Sequence, residues 1–234
     1  MTRRAERPDK HESIAFLWAQ AAHDLRQPVQ AALLLANMLD GVSTPTELRR
    51  AARGIESALG SLYEMLEVLT LLARVDAGLQ IVPLRTCQFP DVLQPAIEEF
   101  IQIAKKWDIP LRLRDLSGTV RSNPKLLTMV VRSLFLNVVR FGNGSGILIG
   151  CRRSCKQFRL EFRFGGALPY NASKNHAFVQ LTSRSDRLTA GELGLGLALV
   201  EHLCRVLGHE LRHSVLGPDR QSLVMTLPMS VGSR

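Results

Sequence analysis

A histidine, an acid and an amide stand close together in the run His23-Asp24-Leu25-Arg26-Gln27-Pro28. Apolar residues around them recur at alternating steps of four and three, from Ile14 through Trp18, Ala21, Leu25, Pro28, Ala32 and Leu35 to Leu39, as on the seam of a packed helix. His23 lies midway between Ala21 and Leu25, so at about 100° per residue its ring points off the seam, toward water. A carboxylate beside an imidazole suits reversible phosphoryl chemistry: Asp24 can hold one ring nitrogen as N–H and leave the other as a nucleophile near neutral pH. Gln27 lies one turn on along the same face, where its amide could set a water against a phosphorylated ring. Arg26 stands close enough to offset phosphoryl charge. Pro28 removes a backbone donor and is expected to kink the helix just past the site. From this run alone, an ordinary surface histidine among polar neighbours is the simpler alternative.

A second run, Gly191-Glu192-Leu193-Gly194-Leu195-Gly196-Leu197, opens a helix with glycines. Without Cβ atoms there, the free N–H groups of the helix start can approach a phosphate closely, aided by the helix dipole. The competing reading is tight packing of the helix on a sheet.

The elements that must position these groups follow from pattern. The chain has 234 residues, 46% of them hydrophobic, with few aromatics, which fits a globular, helix-rich protein of one large or two modest domains. No apolar run reaches the roughly 18 residues of a membrane span, and the N-terminus lacks the apolar region of a signal peptide. Four cysteines without a dense framework fit a reducing cytoplasm. The net charge of +9 points to acidic partners; nucleic acid is not expected, because Phe, Tyr and Trp do not interleave with the basic residues as a stacking platform would.

Leu48, Ala52, Ile55, Leu59, Leu62, Leu66, Leu69, Ala73 and Asp76 form a second helical seam, with Thr44 or Thr46 as caps around Pro45. The link from Gly41 to Thr46 is short, so the two helices, each about 45 Å long, should run antiparallel. One hairpin cannot bury two apolar seams well, and pairing with a second copy into a four-helix bundle predicts a homodimer through residues 10–80. Gly78 stops the second helix and Ile81 to Pro90 reads as a crossover. Then come a helix from Pro90 to Trp107, strands at Pro110–Asp115 and Thr119–Ser122, and a helix from the Asn123-Pro124 cap to Phe141. Strands at Gly144–Arg153 and Gln157–Phe164, a helix at Gly194–Leu207, and a hairpin of Glu210–Val215 with Ser222–Pro228 complete the pattern. The fold class is α+β: a long helical hairpin over residues 1–80, then a two-layer α/β sandwich over 86–234.

Together these motifs, in this order, resemble the transmitter core of two-component sensor histidine kinases over residues 13–230. His23 to Pro28 resembles the phosphoacceptor box of the dimerisation and phosphotransfer hairpin, and Leu71 to Gly78 the end of its second helix. Leu134-Phe135-Leu136-Asn137-Val138-Val139-Arg140-Phe141 is similar to the asparagine box of the ATP-binding domain. The resemblance implies that Asn137 holds magnesium when ATP binds and that Arg140 stands where a phosphate-contacting lysine is usual. It further implies that Gly165, Gly194 and Gly196 are nucleotide-facing glycines. Ala177-Phe178 matches the phenylalanine box faintly, and Leu227-Pro228 the terminal strand. The implied partner is the receiver domain of a response regulator, which brings its own magnesium, and the implied location is the cytoplasm.

The departures divide the functional reading. Where the family's first glycine box reads Asp-x-Gly-x-Gly, this chain has Arg163-Phe164-Gly165-Gly166-Ala167, and the first asparagine of the asparagine box is Ser133. An arginine has donors only and cannot accept the adenine N–H, a loss worth several kcal/mol, on the order of a thousandfold in Mg-ATP affinity. The segment between the glycine boxes is also short for an ATP lid. Three readings follow: a phosphotransfer protein that exchanges phosphoryl groups between His23 and a receiver aspartate, an active kinase that reads adenine differently, and a non-catalytic scaffold. Cys151, Cys155, His202, Cys204, His209 and His213 do not form the paired spacing of a zinc site and are expected to pack instead. Trp18 and Trp107 are expected in the core or at domain contacts, and Arg49-Arg50 and Arg152-Arg153 on solvated faces.

Overall fold

The ends of the two long helices are set by local chemistry. In the computed structural model, which describes residues 10–41, 44–154, 157–166 and 196–229, α1 (Lys10–Met38) runs unbroken through a buried Pro28, and a 3-10 turn, Leu39–Gly41, follows it. Of the two candidate caps the chain uses Thr44. Its hydroxyl accepts the Glu47 N–H at 3.3 Å and donates to the Glu47 carboxylate at 2.8 Å, a reciprocal cap that starts α2 (Pro45–Asp76) with Pro45 in its first turn. The helices pack antiparallel and closely: a Cβ added at Gly54 of α2 would lie 2.6 Å from Leu35 Cδ1 of α1.

The buried stripe of α2 is not the expected one. Ala51, Ala58, Ser61, Met65, Val68 and Leu72 face inward, about 100° around the helix from the leucine seam, of which Leu69 alone is buried with them. Within one chain the neighbours of α2 are α1 and the α/β layer, and these take the Met65–Leu72 side. Leu48, Leu59 and Leu66 of the expected seam stay 46–52% exposed, and Trp18 of the first seam is 45% exposed instead of packed in the core.

Strand β1 (Arg85–Gln88) lies inside the segment expected to be a plain crossover, and pairs antiparallel with β3 (Thr119–Ser122) in a sheet of their own. Between them come α3 (Phe89–Lys106), with Trp107 half-buried as its C-cap, and the short β2 (Leu111–Leu113). Asn123 accepts the Leu126 N–H at 3.2 Å and Pro124 opens α4 (Pro124–Phe141), as the sequence implies. Then follow β4 (Gly142–Ser154), β5 (Gln157–Gly166), α5 (Leu197–Val206), β6 (Glu210–Gly217) and β7 (Arg220–Pro228). The main sheet has the order β2-β4-β5-β7-β6, antiparallel except where β2 joins β4 in parallel.

Alternation along β5 sends Phe158, Leu160, Phe162 and Phe164 to the helix side, opposite Ile149 on β4 and Leu223 and Met225 on β7. Val130, Leu134, Phe135 and Val138 of α4 meet them in one core, which also takes in Ala21, Met65 and Leu72 of the hairpin. Among the described residues no helix is long and apolar enough to cross a membrane.

A buried pair ties the small sheet to the large one: Ser122 Oγ lies 2.8 Å from His209 Nε2. Burial pushes the His209 pKa down to about 4 from 6.5, so the folded chain holds this ring neutral while the unfolded chain protonates it at higher pH. The unfolded state therefore binds the extra proton between pH 6.5 and 4, and stability is lost as pH falls through that window, by up to about 3 kcal/mol. Urea unfolding of His209→Gln should lack this part of the pH slope.

Candidate phosphoacceptor site

α1 carries the run from His23 to Pro28. Ala21, Asp24 and Pro28 are buried, Arg26 is exposed, and His23 stands between the two sides with its side chain 37% exposed. The ring is off the seam, as expected, and not packed between the helices. Its Nδ1 lies 3.4 Å from Asp24 Oδ1, a long contact that orients the ring without fixing it. With the Nδ1 proton toward the carboxylate, Nε2 keeps its lone pair.

The other side of that carboxylate meets α5. Asp24 is only 6% exposed and presses on Gly196, the N-cap of α5, so closely that a Cβ there would overlap the carboxylate. The helix start, with its free N–H groups and positive dipole end, suits an anion at this place. Arg140, in the last turn of α4, completes the surround. Its Nη1 donates to Gln27 Oε1 at 3.1 Å, and its guanidinium lies over the Phe141 ring at 5.5 Å. Burial pulls the Arg140 pKa below its ordinary value, and the Asp24 charge opposes that pull. Gln27 is thus held by Arg140 instead of facing water, and Arg140 is turned to α1.

A second polar contact joins the same two parts of the chain further along. His202 on α5 bonds both carboxylate oxygens of Asp76, the last residue of α2, at 3.0 and 3.1 Å through Nε2, and takes Arg205 Nη1 on Nδ1 at 3.1 Å. These partners define the Nε2–H tautomer of a neutral ring; burial lowers its pKa, and the Asp76 charge works against that.

The residues expected to meet a nucleotide are engaged as follows. Asn137 is buried on α4 and donates its amide to the Ser133 carbonyl at 2.7 Å. Gly165 sits at the end of β5, where Asn143 and Ser145 fill the space a Cβ would need. Arg163 does not project toward the helices: it alternates with buried Phe162 and Phe164 and donates to Glu161 at 2.8 Å along the strand. The side chains that β5 turns to the helix side are Phe158, Leu160, Phe162 and Phe164, none of which is a hydrogen-bond acceptor. Gly194 and the Ala177-Phe178 match lie outside the described residues.

Burial raises the Cys151 and Cys204 thiols, keeping them protonated, and His213 Nε2 bonds Gln221 at 2.8 Å. Cys155 lies outside the described residues. The Gln27–Arg140 and Asp76–His202 contacts have no counterpart in the sequence pattern. The one trace is Asp76 itself, a lone charge at the end of an otherwise apolar seam.

No protein-family model matches the chain. In sequence it is similar to the sensor protein QseC of Escherichia coli K12, 24% identical over 198 residues that make up 81% of this chain and 42% of that protein. It is also similar to the sensor protein TorS of the same strain, 22% identical over 237 residues, 98% of this chain and 26% of TorS. The chain thus spans less than half the length of these relatives. Its fold is that of the histidine kinase AdeS of Acinetobacter baumannii, with a TM-score of 0.63 at 18% identity, over 89% of this chain and 98% of the AdeS chain. The helical hairpin followed by this mixed sheet thus has the fold of a histidine kinase chain, and the sequence is similar to those of sensor proteins.

Proposed function

We propose that the chain is a histidine phosphotransfer protein of a two-component relay, working in the cytoplasm, which carries a phosphoryl group on His23 and exchanges it with the aspartate of a receiver domain. The observation that carries this reading is the half-exposed His23, whose Nδ1 lies toward Asp24 and so leaves the lone pair on Nε2. In the transfer, Nε2 attacks the phosphorus of the receiver's aspartyl phosphate in line. The N–P bond forms, the P–O bond to the aspartate breaks, and the carboxylate leaves with the bonding pair. Asp24 steadies the positive charge that develops on the ring, and Arg26, exposed on the next turn, offsets charge on the phosphoryl oxygens. The receiver brings the magnesium that its acyl phosphate requires.

The other half of the proposal is that residues 86–234 act as a degenerate ATP-binding domain kept for docking. The described residues are a poor fit for Mg-ATP: the helix-facing end of β5 offers phenylalanines where adenine needs an acceptor, Asp24 takes the start of α5, and Arg140 is committed to Gln27. An active kinase is the second reading, favoured by the retained Asn137 and Gly196 and by the likeness to sensor proteins. Isothermal titration with Mg-ATP separates them: the phosphotransfer reading expects no saturable heat at millimolar nucleotide, and micromolar binding would overturn it.

The homodimer belongs to the same proposal. Trp18, Leu25, Leu66, Leu69, Ala73 and Leu79 line an open, mainly apolar groove of about 430 Å³ along the hairpin, and Leu59 of α2 is exposed as well. All but Leu79 are seam residues of the two helices, and a second hairpin across a two-fold axis would fill the groove as a four-helix bundle. Each buried leucine contributes about 2–3 kcal/mol and both copies change together, so Leu66→Glu should weaken the dimer on the order of a thousandfold. Sedimentation equilibrium reads this directly; an unchanged dimer would place the interface elsewhere.

A further inference from the structure

The main sheet has a second face, turned away from the core helices, and arginine dominates it. The alternation that sends Phe158, Leu160 and Phe162 to the helix side leaves Arg159, Glu161 and Arg163 of β5 on the other. Strand register sets Arg152 of β4 directly opposite Arg159. Arg112 of β2 and Arg114 just past its end share that face, and a Cβ added at Gly150 of β4 would lie 3.2 Å from the Arg114 Cβ. Two arginines of the face are matched within it, Arg163 by Glu161 at 2.8 Å and Arg212 by Glu210 at 2.6 Å. Asp115, next to Arg114, accepts the Ser117 N–H at 2.9 Å. Arg112, Arg114, Arg152 and Arg159 are exposed, and none is ion-paired with a carboxylate among the described residues. Arg152 and Arg159, with Cβ atoms about 5 Å apart, form a like-charge cross-strand pair, which weakens a sheet unless an anion joins it. Gly150 leaves the floor beside Arg114 and Arg152 bare, so such an anion can settle among the guanidinium groups.

We propose that this face docks an acidic segment of another polypeptide, whose carboxylates seat on Arg112, Arg114, Arg152 and Arg159 around the bare backbone of Gly150. A guanidinium is a planar fork that grips a carboxylate through two parallel N–H bonds. The four stand on the neighbouring strands β2, β4 and β5, a patch of roughly 10 by 14 Å, which suits a single helix or extended stretch. The occupant is not this chain's own: residues 1–9, 167–195 and 230–234, which lie outside the described residues, each hold more bases than acids and no acidic run. A membrane or a nucleic acid fits less well. Glu161 and Glu210 share the face and would repel a uniform layer of phosphates. Between the arginines stand Gly150, Ser214, Ser222 and Thr226, with no aromatic ring to stack on a base or enter lipid. The site is independent of the phosphotransfer reading, because nothing in it involves His23.

Fluorescence anisotropy of a labelled oligo-glutamate peptide tests the site on the whole chain. The double variant Arg152→Gln, Arg159→Gln should bind it about tenfold more weakly than wild type. Arg49→Gln, Arg50→Gln, an equal loss of charge on exposed turns of α2, should change binding by less than about twofold. Equal losses in the two variants would mean that the peptide follows net charge alone, and they overturn the site, as does a wild-type chain that does not bind the peptide. The same variants are titrated with phosphatidylserine vesicles and with duplex DNA. Steeper dependence on Arg152 and Arg159 with either of these than with the peptide would make the occupant a membrane or a nucleic acid, and the proposal fails. Urea unfolding guards the comparison. Removing Arg159 relieves a like-charge contact, so the sheet variant should unfold at the wild-type midpoint or above it. A lower midpoint would make these arginines part of the sheet's own stability and overturn their role in docking.

Discussion

A His23→Gln chain is expected to accept no acid-labile phosphoryl group from a charged receiver, with uptake below about a thousandth of wild type. Glutamine is close to histidine in size and is a better helix former, so α1 should persist. His23 is half-exposed and its polar contact to Asp24 is long, so its loss removes little packing. What disappears is the nucleophile itself. No amide nitrogen carries a lone pair that can displace a carboxylate from phosphorus, and Asp24 and Arg26 cannot act without the ring they serve. Label retained by this variant, stable to base and labile to acid, would put the acceptor at another histidine.

The second large effect concerns the core of the α/β layer. Phe135→Ala should destabilise the chain by about 3–5 kcal/mol, a large share of the 5–15 kcal/mol that holds an ordinary domain together. Phe135 is fully buried at the middle of α4 and stacks on Phe100 of α3, with ring centroids 4.0 Å apart and planes 17° from parallel. The cavity left by its ring is hemmed by neighbours such as Val131, Leu134 and Val138, all themselves fully buried and unable to collapse freely. Because α4 also carries Asn137 and Arg140, loosening it should disturb the phosphoacceptor contacts as well as the core. Urea denaturation measures the loss; a change under about 1 kcal/mol would mean that α3 and α4 do not share this core.

The parts of the fold that follow local rules were legible from residues alone. Asn123-Pro124 marks the start of α4 because an Asx cap and a proline in the first turn each solve the problem of free N–H groups there. The alternation of Phe158, Leu160, Phe162 and Phe164 reveals β5 because a two-sided sheet demands it. β1 escaped notice for the opposite reason. Arg85-Thr86-Cys87-Gln88 is short, polar and largely exposed, and is a strand only because Thr119–Ser122 lies beside it. The α2 seam misled in a more instructive way. The leucines form the better heptad, but α2 carries two apolar stripes, and which one a single chain buries depends on the α/β layer that reaches it.

The site divides along the same line. His23 off the seam, with Asp24 beside it, is a matter of helical spacing, and the spacing was enough. That Gln27 should meet Arg140, 113 residues away, or that Gly196 should be the seat of Asp24, depends on how two separately patterned regions dock. Arg163 shows how a motif match by itself can mislead about direction. It stands at the family's aspartate position, yet strand alternation turns it to Glu161, away from the helices.

The central claim is that His23 takes its phosphoryl group from an aspartate and not from nucleotide. Its direct measurement is a paired incubation of the wild-type chain, once with labelled Mg-ATP and once with a receiver charged by labelled acetyl phosphate, each followed by mapping of acid-labile label. The account predicts label on His23 from the receiver and none from ATP. Label on His23 from ATP in the absence of any receiver would contradict it.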